Sequence, residues 1–161
     1  MHIERVKIRD FRNLMDLEIS FTSAAEGPDG IKHDFKSHAV IGQNGSGKSN
    51  LLEALITIFR DLDLNNAASL DYEMDYSIRN HSINLVAISG KKPKVVINGE
   101  RISAAALADH AREYLPSHIF AYYSGKNERI AQLFQAHQQR FTQLLRKGQD
   151  ELIRRLSYCR M

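Results

Sequence analysis

The sequence predicts an α/β fold, in which a mixed core sheet surrounds the helix after a glycine-rich loop and an additional antiparallel sheet lies beside it. The first observation is the order of three segments in residues 38–59: a short apolar run, a glycine-rich octapeptide and a segment rich in residues that favour a helix. Such an apolar run indicates a buried strand, so the order is strand, loop and helix. The second observation is Asn98-Gly99 between two short strand-like runs, which is the strongest sequence signal of a two-residue β-hairpin.

The other N-terminal elements follow from periodicity and turn residues. Residues 3–9 and 15–21 predict a half-buried hairpin, because apolar residues alternate with polar ones in the second run. Residues 23–36 are polar and rich in turn residues, so we expect a mobile loop there, and residues 61–70 read as a polar connection. The strands of the antiparallel sheet are expected at residues 72–79, 83–89, 94–97 and 100–102.

The C-terminal elements are predicted in the same way. Ser103 is a candidate N-cap for a helix that runs through Tyr114 and ends before Pro116. Residues 119–123 form a second apolar run typical of a buried strand. From Glu128 onwards apolar residues recur at helical spacing, which predicts a long amphipathic helix broken near Gly148. A shorter helix is expected at residues 151–158.

Composition limits the class of protein. With 161 residues, 43% hydrophobic and 25% charged, the chain has the material for one core: a single domain or one lobe of a larger one. No apolar stretch approaches the roughly 20 residues that a membrane helix needs, and the N-terminus lacks the apolar region of a signal peptide. A single cysteine, Cys159, excludes an internal disulfide and fits a reducing compartment. We therefore expect a cytoplasmic protein with no membrane partner.

The net charge of +3 is unevenly distributed along the chain. Residues 126–161 carry 8 basic and 3 acidic side chains, whereas residues 61–125 carry 6 basic and 8 acidic ones. DNA is one candidate partner for this basic segment, because Lys and Arg neutralise phosphates. A solvated helix face is the commoner explanation of such a bias. The seven histidines show no metal-ligand spacing.

Residues 42–49 read Gly-Gln-Asn-Gly-Ser-Gly-Lys-Ser, a full match to the phosphate-binding pattern G-x-x-x-x-G-K-[ST]. Glycines let backbone N–H groups of such a loop turn towards one concavity, and the following helix adds its positive dipole. We expect Lys48 to reach the β- and γ-phosphates of ATP, and Ser49 to ligate the bridging Mg²⁺. A side chain at Gly45 or Gly47 would most directly block the phosphates. An accidental match is the alternative, which the flanking strand and helix disfavour.

A longer pattern accompanies this motif: IERVKIRDFRNL at residues 3–14, a second strand ending in Phe21, and VIGQNGSGKSNLLEA at residues 40–54. It resembles the N-terminal lobe of ABC-type ATPases of the SMC, RecF and OLD group. In that group the segment after the first strand approaches the nucleotide, so the resemblance implies Phe11, Arg12 and Asn13 as contacts. Residues 117–129 look like the version found in AAA-family ATPases of bacterial restriction and anti-phage systems. The candidate nucleotide-binding residues are Arg12, Asn13, Gly42, Gln43, Asn44, Gly45, Ser46, Gly47, Lys48, Ser49 and Asn50, with Ser49 also the candidate metal ligand.

The sequence departs from the pattern of these ATPases in its second half. The segment that matches their glutamine loop offers Ser124, Lys126, Asn127 and Glu128 but no glutamine. We find no apolar run ending in Asp-Glu, no signature motif and no switch histidine, so the catalytic residues stay unknown. The resemblance therefore implies the first half of a two-lobed head: residues 1–125 form a nucleotide-binding lobe, and residues 126–161 form a basic helical segment leading towards a second lobe.

Three functions compete at this point. The leading one is an ATP-binding lobe of a RecF- or SMC-like ATPase, in which nucleotide-driven homodimerisation of heads acts on DNA or on a nuclease or other effector, in DNA repair or anti-phage defence. The alternative is a non-catalytic nucleotide sensor or assembly module. A small-molecule kinase also uses this loop, but the strand pair around Phe11-Arg12-Asn13 argues against it.

Overall fold

The computed structural model describes residues 1–21, 24–26, 28, 30, 32–34, 37–122, 129–146 and 155–159. The chain divides into two compact units, Met1–Leu115 and Pro116–Met161, a division that precedes the boundary expected after residue 125. The described elements, in chain order, are β1 (His2–Phe11), β2 (Leu14–Ser20), β3 (Ala24–Glu26), β4 (Lys32–Asp34), α1 (Lys48–Asp63), β5 (Tyr72–Ile78), β6 (His81–Ala87), β7 (Lys94–Ile97), β8 (Glu100–Ile102), α2 (Ala104–Asp109), α3 (Ala111–Tyr114), β9 (His118–Tyr122), α4 (Arg129–Arg146) and β10 (Arg155–Cys159).

The first unit is built on a six-stranded antiparallel sheet with the strand order β2-β1-β5-β6-β7-β8. Both predicted hairpins are confirmed and belong to this one sheet. In the first, Phe11 of β1 lies opposite Leu14 of β2. In the second, Asn98 and Gly99 have φ angles of 51° and 88°, which a two-residue turn between twisted strands requires.

One face of the sheet is buried and carries the core of the first unit. Alternate residues of β5 are buried, as a half-buried strand requires, and Tyr76 is completely inaccessible. Helix α1 packs on this face, since the ring of Phe59 meets that of Tyr76 edge to face with 5.7 Å between centroids. The helix predicted after the glycine-rich loop is confirmed, and it is longer than expected.

The other face of the sheet is polar and is held together by ion pairs. The guanidinium of Arg5 on β1 contacts Asp75 at 2.7 Å and Glu73 at 3.4 Å, both on β5, and Glu18 on β2 at 3.1 Å. Arg9 Nη2 lies 3.0 Å from the second carboxylate oxygen of Glu73. The hydrogen bond from Arg9 lowers the pKa of Glu73, and Arg5 lowers it further. These contacts join three adjacent strands across their polar side chains.

The strand expected at residues 38–41 is absent, and this prediction is wrong. The segment has no regular secondary structure, and the side chains of Val40 and Ile41 are 44% and 92% exposed. Its first residue, His38, makes ring contacts with His2 and Phe21. An apolar run becomes a strand only where another strand supplies hydrogen-bonding partners, and none of the described strands pairs with this segment.

The segment expected to be a polar loop, residues 23–36, contains a short antiparallel pair, β3 with β4, in which Ala25 lies opposite His33. Its remaining residues lie partly outside the described ranges. The helix predicted from Ser103 begins as expected, because the Ser103 hydroxyl accepts a hydrogen bond from the backbone N–H of Ala106 at 3.0 Å. It is divided at His110 into α2 and α3, and it ends before Pro116.

The second unit contains β9, α4 and β10. The predicted strand at residues 119–123 is confirmed as β9, but it is not buried as expected, since Phe120 is 68% exposed. The predicted long helix is confirmed as α4, with Ile130 and Phe134 buried. The helix predicted at residues 151–158 is wrong for residues 155–158, which belong to β10, parallel to β9. Residues 151–154 and the break predicted near Gly148 lie outside the described residues. The sequence of residues 155–159 is compatible with a helix or a strand, and pairing with β9 stabilises the strand.

Candidate nucleotide-binding site

The glycine-rich loop leads directly into α1, whose first helical residue is Lys48. Gly47 occupies the N-cap position with φ +100°, and it has no side chain to cap the helix. The first turn of α1 also contains no acidic residue. The backbone N–H groups of residues 47–50 have no acceptor within the helix, because the helical pattern begins with the bond from Leu51 N to Gly47 O. A helix start of this kind favours an anion.

The side chain of Lys48 folds back over the loop. Its Nζ donates to the carbonyl oxygens of Gly42 and Gln43, at 2.6 and 2.7 Å. The Gln43 carbonyl also accepts from the N–H of Ser46 at 3.2 Å, so the loop closes into a turn. Ser49 lies beside Lys48 in the first turn of α1. The ammonium and the uncapped N–H groups therefore belong to the same short segment, which suits a polyphosphate.

The tip of the β1–β2 hairpin, residues 11–14, contacts the loop from the side. Asn13 Nδ2 donates to the carbonyl oxygen of Gly45 at 2.8 Å, and Asn13 Oδ1 accepts from Asn50 Nδ2 at 2.7 Å. A Cβ atom on Gly47 would lie 2.5 Å from Leu14 Cδ2 and 3.1 Å from Asn13 Oδ1. Gly47 is thus required for packing against the hairpin tip, a different reason from the phosphate clearance expected from the sequence. A Cβ on Gly45 would point into open space.

Arg12 reaches α1 rather than the loop itself. Its Nη2 lies 2.6 Å from Oε1 of Glu53, whose side chain is only 6% exposed, while the Arg12 side chain is 41% exposed. Arg12 has φ +58°, a conformation that non-glycine residues adopt at a cost and that concentrates at functional sites. The resemblance implied Phe11, Arg12 and Asn13 as nucleotide contacts. The structure brings Asn13 to the loop and Arg12 to α1, and the ring of Phe11 lies 5.6 Å from the guanidinium carbon of Arg12.

Glu53 was not among the residues singled out from the sequence. It belongs to a buried polar stripe on α1 that continues through Thr57 and Asp61 at intervals of four residues. Asp61 accepts from both Arg60 and the backbone N–H of Ser69, at 2.7 and 3.0 Å. Helical spacing alone places these three side chains on one face, so the repeat was a usable signal. Burial and the carboxylate of Asp61 raise the pKa of Tyr72, which follows in β5.

Among the residues that the structure describes, we identify no catalytic carboxylate for the site. Ser124, Lys126, Asn127 and Glu128 lie outside the described residues. The carboxylate of Asp71 accepts a hydrogen bond from the backbone N–H of Ser89 at 2.6 Å and so supports the segment just after β6. Among the residues that the structure describes, no group of three His, Cys, Asp or Glu side chains could hold a metal ion. No helix in the described ranges is long and apolar enough to cross a membrane.

The chain matches known proteins over most of its length. Residues 1–155 match the family model of the AAA ATPase domain. The DNA replication and repair protein RecF of Halalkalibacterium halodurans is 30% identical over 112 residues, which cover 62% of this chain and 26% of that protein. RecF of Trichodesmium erythraeum is 30% identical over 115 residues, covering 64% of this chain and 26% of that protein. The chain thus spans about a quarter of the length of the curated relatives it matches.

One solved structure, from work titled "Structural biochemistry of ATP-driven dimerization and DNA stimulated activation of SMC ATPases", matches with a TM-score of 0.43 and 15% identity. The alignment covers 92% of this chain and 97% of the chain in that structure, and the likeness is distant. The family match confirms the predicted α/β fold class of a P-loop ATPase. The chain belongs to the AAA ATPase domain family, and over somewhat less than two thirds of its length it is similar to RecF proteins.

Proposed function

We propose that the chain is the ATP-binding lobe of a RecF- or SMC-like ATPase, and that residues 42–50 hold Mg-ATP or Mg-ADP. The observation that carries this proposal is the uncapped start of α1 beside the ammonium of Lys48. Backbone N–H groups and a lysine on one short segment recognise a polyphosphate without requiring a second lobe.

Lys48, Ser49 and the backbone N–H groups at the start of α1 each have a chemical role in this proposal. Lys48 exchanges the carbonyl oxygens of Gly42 and Gln43 for the β- and γ-phosphate oxygens. The N–H groups of residues 47–50 donate to the same phosphates, and the Ser49 hydroxyl ligates Mg²⁺. When bound, Mg²⁺ neutralises charge between neighbouring phosphates. Charge-assisted hydrogen bonds of this kind are worth about 1.5–3 kcal/mol each.

The wider role extends this binding function to DNA. In this proposal two heads of the complete protein pair through their nucleotide-binding faces when ATP binds. This dimerisation acts on DNA or on a nuclease partner, in DNA repair or in anti-phage defence. The RecF relatives are named for DNA replication and repair, which supports the DNA branch. The excess of basic residues in 126–161 also supports a nucleic-acid partner.

A non-catalytic nucleotide sensor is the second candidate. It is favoured by the absence of an Asp-Glu motif after any apolar run of the sequence, and by the structural engagement of Asp71 with Ser89. Phosphoryl transfer to water needs a group that positions the water, in addition to the phosphate cradle and the metal. A protein of this kind would bind the nucleotide through the same loop but would not hydrolyse it.

Two measurements on the 161-residue chain test these proposals. Equilibrium titration with Mg-ATP and Mg-ADP tests the lobe function, and a chain that binds neither nucleotide overturns it. Steady-state phosphate release, with and without duplex DNA, tests turnover against a Lys48→Ala control. We expect negligible release from this chain by itself. Lys48-dependent turnover would instead show that a catalytic carboxylate exists within it, with Glu128 the first to be substituted.

A further inference from the structure

We propose that Asn13 and Asn50 are positioning residues, which fix the phosphate loop in its binding conformation before a nucleotide arrives. This inference rests on the proposed function, because it assigns a mechanism to the same loop. It concerns the side-chain amides of Asn13 and Asn50, which contact the loop and each other, rather than the Lys48 ammonium and the backbone N–H groups that are expected to touch phosphates.

The peptide unit between Gly45 and Ser46 is held at both ends. Its carbonyl oxygen accepts from Asn13 Nδ2 at 2.8 Å, and its N–H donates to the Gln43 carbonyl at 3.2 Å. The C=O and N–H of a trans peptide point in opposite directions, so two such bonds determine the orientation of the whole plane. Gly45, with φ +85° and open space around its Cβ position, would otherwise rotate freely.

Asn50 determines which way the Asn13 amide faces. Its Nδ2 donates to Asn13 Oδ1 at 2.7 Å, so the Asn13 oxygen is engaged and the Asn13 nitrogen is directed at Gly45. Asn50 lies in the first turn of α1, whereas Asn13 lies at the hairpin tip, 37 residues earlier in the chain. The relay therefore ties the hairpin, the loop and the helix start together.

Two further contacts keep the hairpin tip in place for this relay. Leu14, only 4% exposed, occupies the space where a Cβ of residue 47 would lie. Arg12 pairs with the buried Glu53 one turn further along α1. With the tip fixed, Asn13 presents its amide at one position, and the loop forms its turn without a ligand. Ordering the loop in advance removes a cost that nucleotide binding would otherwise include.

The test compares amide substitutions at the relay with a matched substitution elsewhere. Asn13→Asp keeps the size of the side chain and the acceptor for Asn50, but it places a carboxylate oxygen against the Gly45 carbonyl. Asn50→Ala removes the orienting donor. The control is Asn98→Ala in the β7–β8 turn, near the opposite edge of the sheet, where Asn98 Oδ1 accepts from the backbone N–H of Ser82 at 2.9 Å.

The first readout is amide hydrogen exchange of the nucleotide-free chain, which does not depend on whether nucleotide binds. We expect faster exchange confined to residues 43–47 in Asn13→Asp and Asn50→Ala, and wild-type exchange there in Asn98→Ala. Wild-type exchange of residues 43–47 in both relay variants would overturn the proposal. So would the same acceleration in Asn98→Ala, because the effect would then be general destabilisation.

The second readout is the affinity for Mg-ADP. One lost hydrogen bond corresponds to about a two- to tenfold weaker Kd. We expect this loss in Asn13→Ala, and no further loss in Asn13→Ala combined with Asn50→Ala, since both act through one amide. Additive losses would contradict the relay. If wild type binds no nucleotide, the proposed function fails, and the exchange measurement still decides the role of the two asparagines.

Discussion

Gly47→Ala is the substitution whose cost the structure defines most closely. The residue has φ +100°, and holding a non-glycine residue in left-handed backbone costs about 1–2 kcal/mol. A Cβ there would lie 2.5 Å from Leu14 Cδ2, a distance that real Cβ atoms do not show. Overpacking against a buried side chain adds about 1–3 kcal/mol. We therefore expect a loss of about 2–5 kcal/mol in the free energy of unfolding.

Gly45→Ala separates the cost of left-handed backbone from the cost of overpacking. Gly45 has φ +85°, so it carries comparable backbone strain, but its Cβ would meet nothing within 4 Å. The gain from restricting the unfolded chain is the same for both glycines and cancels in the comparison. Urea unfolding followed by circular dichroism should show Gly47→Ala less stable than Gly45→Ala by about 1–3 kcal/mol.

Leu14→Ala tests the identity of the clash. It is costly by itself, because Leu14 is buried, but it removes the atom that Cβ of residue 47 would strike. The double variant should therefore be more stable than the sum of the two single losses predicts. Equal stabilities of Gly47→Ala and Gly45→Ala, or strictly additive losses with Leu14→Ala, would refute the packing of the hairpin tip on Gly47.

Two further substitutions test ion pairs on either side of the sheet. Glu53→Gln should lower the free energy of unfolding by about 1–3 kcal/mol, because it weakens a hydrogen bond between charged groups at a buried site; thermal unfolding that matches wild type would exclude a structural role for the pair with Arg12. Glu73→Gln tests how the free energy of unfolding depends on pH. Arg9 and Arg5 lower the pKa of Glu73, so its stabilising effect is present above the ordinary carboxyl pKa of about 4.3 and is lost as pH falls through the lowered value. Urea unfolding between pH 7 and pH 3 should show the difference between wild type and Glu73→Gln shrinking at the acid end, and a constant difference would contradict this.

The parts of the fold that depend on local sequence were predictable. Asn98-Gly99 specifies its own turn, and the glycine-rich loop followed by a helix former specifies the start of α1. The conformation of residues 38–41 was not predictable, because an apolar run becomes a strand only if another strand pairs with it. The same limitation applies to β10, whose state depends on pairing with β9.

The candidate site was predictable as a list of residues but not as an arrangement. The motif identified Gly42 to Ser49, and the resemblance added Phe11, Arg12 and Asn13. The relay from Asn50 through Asn13 to Gly45 joins groups 32 to 37 residues apart in sequence, so only the fold brings them together. Glu53 could have been found from the four-residue repeat with Thr57 and Asp61, because charged residues rarely lie on a buried helix face without a partner.

Isothermal calorimetry of Mg-ADP binding to wild type, Lys48→Ala and Lys92→Ala tests the central claim most directly. Lys92 is the matched control, since its Nζ also donates to a backbone carbonyl, that of Asn65, two residues after the end of α1. Removal of the Lys48 charge should weaken binding roughly ten- to a hundredfold, the equivalent of about 1.5–3 kcal/mol, while Lys92→Ala keeps the wild-type affinity. Equal affinity of wild type and Lys48→Ala would contradict the assignment of residues 42–49 as the phosphate-binding loop.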